Sequence, residues 1–192
     1  MPERDRRTRA QLRARRQRAA AHAIAAEAAF HQARVLLLVA AFSGRTRGLR
    51  ALARLSRLDF LLRFPPVLEF MNLDGHPTWP TTAATVPAER HATDIAFASS
   101  RYGLWTDRYT LIIGALLSKQ LLREVPGRTL EVIATPAGRT AASELAATTE
   151  WARTKHRADF LHQRLDLPAA RLDQLLRPAI ARMETALLKV GT

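Results

Sequence analysis

The stretch Tyr102–Arg139, YGLWTDRYTLIIGALLSKQLLREVPGRTLEVIATPAGR, decides how this chain of 192 residues folds. Thr106 carries the short hydroxyl side chain that caps a helix N-terminus, and Asp107 follows where the helix dipole favours an acid. The helix is expected to run to about Gln120. "LLREV" and "TLEVIA" then flank Pro126-Gly127, whose fixed and positive φ values suit a type II turn, so a hairpin is expected at about 121–134. Thr135-Pro136 reads as an N-cap with proline at the first helical position, opening the helix "PAGRTAASELA". Helix, hairpin, helix is the order of parts in a winged helix. The helix that would enter a DNA groove in such a fold carries Leu111, Ile112, Ile113, Leu116 and Leu117. It either reads DNA or is buried while the fold serves as an adaptor.

Upstream, "DGHPTWPTTAATVPAER" marks a loop around Asp74–Glu89, and 91–101 reads equally as helix or short strand. Before it, "LRALARLSRLDFLLRFPP" sets Leu49, Leu52, Leu55, Leu58 and Leu62 on one stripe, with Arg47, Arg50, Arg54 and Arg57 mostly opposite. Pro65-Pro66 ends that helix, because proline lacks the amide and restricts its predecessor. Residues 21–42 are strong helix formers without Gly or Pro, stopped at Ser43-Gly44. Downstream, helices are expected over about 149–165 and 168–188, with Pro178 kinking or splitting the second. The fold class is mainly α with a small β-hairpin, a winged-helix core flanked by N- and C-terminal helices. A single domain over 21–192 follows a basic arm, 1–20, that is disordered or partly helical.

Ala, Leu and Arg are abundant and only 6% of residues are aromatic, which favours helix. The absence of cysteine removes disulfides and thiolate metal sites and fits a reducing compartment. The formal charge of +13 is unevenly spread: residues 1–63 hold 15 arginines against four acids, a net of +11. The remaining 129 residues hold 15 basic and 13 acidic groups, a net of +2. The longest apolar run, Val35–Phe42, is under half of what a bilayer crossing needs. The Arg-rich start includes an acid and lacks the serines of a transit peptide, and no signal-peptide pattern follows it. These features lead to the expectation of a cytoplasmic protein without membrane contact.

Phosphate-binding loops, dinucleotide fingerprints and nucleophile elbows are absent from the sequence. The six histidines, at 22, 31, 76, 91, 156 and 162, include no i, i+4 pair suited to a helical metal site. Carboxylates are scattered singly, and Glu144 with Glu150 fits helix solvation better than acid–base work. The chain is therefore expected to be no enzyme, with no cofactor and no metal.

A recognition helix reads base edges with Arg, Lys, Asn, Gln or Ser near its N-terminus. Between Thr106 and Gln120 only Arg108, Ser118, Lys119 and Gln120 qualify, and the last three lie at the far end. The Leu-Ile-Ile run covers most of the circumference, so this helix is expected to be buried on more than one side. In the hairpin, Arg123 and Arg128 are candidate phosphate contacts opposed by Glu124 and Glu131. In the arm, Arg4, Arg6, Arg7, Arg9, Arg13, Arg15, Arg16 and Arg18 can neutralise phosphates of non-specific DNA. With about six phosphates engaged, the log–log salt slope would be about −5. A merely solvated tail explains the same residues equally well, and an anionic membrane surface would ask for bulky apolar anchors that the arm lacks.

Two stretches carry a resemblance. "ARLSRLDFLLRFPPVLE" resembles an L-x-K-L-D-F-L-L-R-Y-P signature, and "RYGLWTDRYTLIIGALLSKQLL" resembles a Y-G-P-W-D-P-R-Y signature; "TPAGRTAASELAATTEWA" and "RTKHRADFLHQRLDL" continue it. The family is the middle component of bacterial ABC-three-component systems, small proteins similar to the winged-helix subunits of SMC complexes. The resemblance spans roughly Ala33 to Ile180. Matching positions are Leu58, Asp59, Phe60, Leu61, Leu62, Arg63 and Pro65, then Tyr102, Gly103, Trp105, Arg108 and Tyr109, then Thr135, Gly138 and Arg139. Phe64, Leu104, Thr106-Asp107 and Leu167-Pro168 depart from the pattern, and the arm lies outside it. The resemblance implies a non-enzymatic adaptor joining an SMC-like or ABC-type ATPase to a third component, associated with DNA and with defence against foreign DNA. A winged-helix transcriptional regulator, dimeric through the terminal helices, is the alternative. The motif side chains also have a plain structural reading: core leucines, a surface pair Asp59–Arg63 at i, i+4, and a cluster of Tyr102, Trp105 and Tyr109.

Overall fold

In the computed structural model, which describes residues 2–73, 78–90 and 106–190, the fold is assembled around the second half of the first helix. Helix α1 runs unbroken from Pro2 to Phe42. Residues 19–30 are exposed, whereas Arg34 to Val39 are buried without interruption. Val35-Leu36-Leu37-Leu38-Val39 is apolar all round, and such a segment must be enclosed on every side. Helices α2 (Leu52–Arg63), α4 (Thr106–Ser118), α5 (Pro136–Ala146) and α6 (Thr149–Arg164), with strand β3 (Glu131–Ala134), enclose it. At about 1.5 Å per residue the whole rod is about 60 Å long. The 24 residues Ala19–Phe42, mean hydropathy 1.4, reach the length and composition of a membrane crossing that the run Val35–Phe42 alone does not. A third of the apolar window in that segment is buried within the protein, at its C-terminal half.

The remaining elements are a 3-10 turn at Pro65–Phe70, a second at Thr81–Ala83, the single-turn helix α3 (Pro87–Arg90) and α7 (Ala169–Val190). Helix α7 packs on α2 and on the first 3-10 turn. It continues through Pro178 as one helix, so the proline does not split it. Residues 91–101, open between helix and strand from sequence, lie outside the described residues.

The hairpin forms where expected, as β2 (Leu122–Glu124) and β3, antiparallel. Its connection differs from expectation. Val125 N–H donates to Glu131 O at 2.9 Å, leaving a broad loop, and Gly127 does not take the left-handed φ of a type II turn. A third strand, β1 (Leu49–Arg50), corrects the helical reading of those two residues: they pair with Val132 and Glu131, giving the sheet order β1-β3-β2. Gly48 makes the pairing feasible, because a Cβ there would sit 2.1 Å from Val132 O. Its N–H donates to a Glu131 carboxylate oxygen at 2.8 Å. Ala51 then turns the chain with φ 66, an uncommon value for a residue with a Cβ, before α2 begins.

Candidate functional site

Asp59 is the most constrained of the motif residues. It sits on α2 with no solvent exposure, and its neighbours on that helix, Leu58, Phe60, Leu61 and Leu62, are buried core. Arg34 of α1 clamps it from the other side, Nε donating to Oδ1 at 2.7 Å and Nη2 to Oδ2 at 2.9 Å. Tyr109 of α4, itself 1% exposed, donates its hydroxyl to Oδ2 at 2.6 Å. Asp59 is thus not a surface partner of Arg63; it ties three helices together. Arg63 is half-buried with its guanidinium 5.0 Å from the Phe64 ring. Burial by itself raises the Asp59 pKa, but the Arg34 charge and the two hydrogen-bonding partners outweigh it and hold the carboxyl below its ordinary value. Burial and the same carboxylate push the Tyr109 hydroxyl far up, so it stays a proton donor. His31, whose Nδ1 lies 3.1 Å from Arg34 Nη1, is held below the usual imidazole value by burial and then by that cation, and because a guanidinium can only donate, the contact requires the neutral tautomer that leaves Nδ1 to accept.

The third group of motif residues is a mechanical joint. Thr135 caps α5 as expected, its Oγ1 accepting from Gly138 N–H at 2.9 Å and donating to Gln120 O at 2.7 Å. Gly138 is required here: a Cβ would lie 1.9 Å from Leu121 O. Arg139 Nη1 donates to Ala134 O at 2.7 Å. Pro65 is buried, and its carbonyl accepts from Trp79 Nε1 at 2.8 Å. Tyr102, Gly103 and Trp105 lie outside the described residues. These contacts favour the structural account for the motif positions described.

Helix α4 is buried on one face and bare on the other. Tyr109, Ile112, Ile113 and Leu116 join the core, and Leu117 is half-buried. The expectation of burial on more than one side fails at Leu111, which is 76% exposed. The outward stripe is Arg108, Leu111, the half-buried Ala115 and Ser118. A groove of about 330 Å³ separates it from the stem of α1, where Ile24 and Phe30 are 68% and 47% exposed. Ile24, Leu111 and Ile112 supply its apolar lining, with Glu27, His31 and Arg108 at its polar margin.

The arm arginines Arg4, Arg6, Arg7, Arg9, Arg13, Arg15, Arg16 and Arg18 all ride on α1, and the Arg15 side chain is exposed. Arg123 on β2 and Arg128 in the hairpin loop are exposed at the other end of the molecule. Among the described residues no group of three or more His, Asp or Glu side chains converges to hold a metal. Sequence reasoning missed Arg34, whose signal was a charge set directly against five apolar residues that had to be enclosed. No protein-family model matches the chain, and neither a curated protein nor a solved structure matches it.

Proposed function

We propose that the chain is a non-enzymatic winged-helix adaptor that joins an SMC-like or ABC-type ATPase to a third component acting around DNA, in the manner implied by its resemblance to middle components of ABC-three-component systems. The element order supports the fold: helix α1, strand β1, helices α2 and α4, then the hairpin, with β1 laid on β3. The outward stripe of α4 carries the functional reading. A helix that reads bases needs hydrogen-bonding side chains there. This one presents Leu111 at the centre of the stripe, facing an apolar groove. Such a surface fits the apolar segment of a protein partner, with Ile24 and Leu111 exposed on opposite sides of one groove.

Affinity capture of the tagged full-length chain from its native cells tests this. The expected result is recovery of a Walker-type ATPase with the wild type and its loss with Leu111→Asp. Because Leu111 is exposed, the substitution should leave the fold within about 0.5 kcal/mol of wild type. A transcriptional regulator would instead give one discrete footprint that is lost on Arg108→Ala. That footprint, without ATPase recovery, would overturn the adaptor reading.

A further inference from the structure

We propose that the outer face of the three-stranded sheet holds a second, separate nucleic-acid contact: a pocket formed by Arg45, Arg123 and Arg139 that receives the phosphodiester backbone of duplex DNA. Strand register sets the geometry. Leu122, Val132 and Ala134 belong to the main core, so their neighbours Arg123 and Ile133, paired across the strands, point to the opposite face. There Ile133, only 1% exposed, lies beside a concavity of about 630 Å³. Three cations border it, each from a different element: Arg45 from the loop after α1, Arg123 from β2 and Arg139 from α5. No acid lines it.

The two glutamates of the hairpin do not neutralise this face. Glu124 follows Arg123 directly and therefore points to the other side of the strand. Glu131 is engaged by Gly48 N–H at 2.8 Å and by Arg50 at 3.7 Å. Five arginines elsewhere are paired with carboxylates: Arg34 with Asp59, Arg54 with Asp166, Arg57 with Asp173, Arg90 with Glu69 and Arg157 with Glu89. Arg45 and Arg123 make no such pair among the described residues. The Arg139 bond to Ala134 O fixes one side of that guanidinium and leaves further donors for a ligand. Three like charges gathered around one concavity repel one another, and a bound polyanion turns that cost into attraction.

The chemistry of the lining narrows the polyanion. Guanidinium forks match phosphate oxygens two at a time. No aromatic side chain lines the pocket, so it offers no platform for stacking the bases of a single strand. A neighbouring depression shares Ser43 and Gly44 but sets Glu131 and Asp166 beside Arg47, Arg50 and Arg54, so the acid-free basic lining is confined to the first pocket. The choice of DNA over other polyanions rests on the DNA-associated part of the proposed function.

The test uses the full-length chain and a labelled random-sequence duplex of about 30 base pairs, three helical turns, with binding read by anisotropy across a salt series. Arg45→Ala combined with Arg123→Ala should weaken binding and flatten the log–log salt slope by about 2, about 0.9 per phosphate lost. Arg177→Ala, an exposed arginine of α7 that lines no part of the pocket, should leave the slope unchanged. A double variant with the wild-type slope would overturn the inference, as would poly-glutamate competing as well as unlabelled duplex at equal charge. Capture of the ATPase by the double variant separates the two proposals. The adaptor reading fails when wild type recovers no ATPase, whereas this site fails on the slope alone.

Discussion

Replacing Asp59 by asparagine keeps the side chain's shape and removes its charge, which isolates the ion pair at the centre of the helix junction. Arg34 is 4% exposed and would be left as a buried cation facing an amide. Breaking a buried pair from one side costs about 3–5 kcal/mol. At about 2–4 °C per kcal/mol for a chain of this size, the thermal midpoint should fall by about 10 °C. Tyr109→Phe removes one hydrogen bond to the charged group and should cost about 1.5–3 kcal/mol. Exchanging both charges together, Arg34→Met with Asp59→Leu, should cost less than either single change, since no orphan charge remains. The pH dependence follows from the direction of the Asp59 shift. Its folded pKa lies below its unfolded one, so the stabilisation is fully present above the unfolded value of about 4 and is lost as pH falls through the folded value. Urea unfolding followed by circular dichroism should therefore show a constant gap between wild type and Asp59→Asn from neutral pH to about pH 5, closing in stronger acid. A gap under about 0.5 kcal/mol at neutral pH, or one that persists unchanged into acid, would refute the assignment of this pair as the junction's electrostatic anchor.

Two glycines should respond to alanine with opposite signs. Gly138→Ala forces a Cβ into Leu121 O and should cost about 1–3 kcal/mol as α5 is pushed off the hairpin, whereas Gly114→Ala, with nothing within 4 Å inside α4, should stabilise by about 0.5–1 kcal/mol. Thermal melts of the two variants decide it; equal shifts would show the Gly138 contact to be unimportant. Arg157, 3% exposed, donates to Ala83 O and Ala84 O and pairs with Glu89, so Arg157→Met should cost about 1.5–3 kcal/mol. It should also speed amide exchange across residues 81–90 ahead of the rest of the fold; protection that stays uniform would contradict that pinning.

What the sequence made legible was what adjacent residues decide among themselves. Ser43-Gly44 stops α1, Pro65-Pro66 stops α2, and Thr135-Pro136 opens α5, each through the chemistry of two neighbouring residues. Strand β1 escaped because its partner, Val132, is far along the chain and because Leu49 also fits a helical stripe. The stripe is a local signal; the close approach of Gly48 to β3 is not. The same limit hid the pairing of Asp59 with Arg34, 25 residues apart, behind the nearer Arg63. A pattern search finds the i+4 partner first, although two charges embedded in apolar runs imply each other more strongly.

The rotation of α4 shows how one polar contact can settle what hydrophobic pattern leaves open. The run from Leu111 to Leu117 is apolar on most sides, so periodicity alone does not say which face is inward. Tyr109 does, because its hydroxyl must reach the buried Asp59 carboxylate. At about 100° per residue, Ile112, Ile113 and Leu116 then fall within about 60° of Tyr109, and all are buried. Arg108, Leu111, Ala115 and Ser118 fall about 180–260° away, and Leu111 is the most exposed large apolar side chain described. Leu111 therefore stands outside because the tyrosine is held inside. A helix turned the other way would bury Leu111 and leave Asp59 and Arg34 without their third partner, so the junction that stabilises the fold is also what presents the surface on α4.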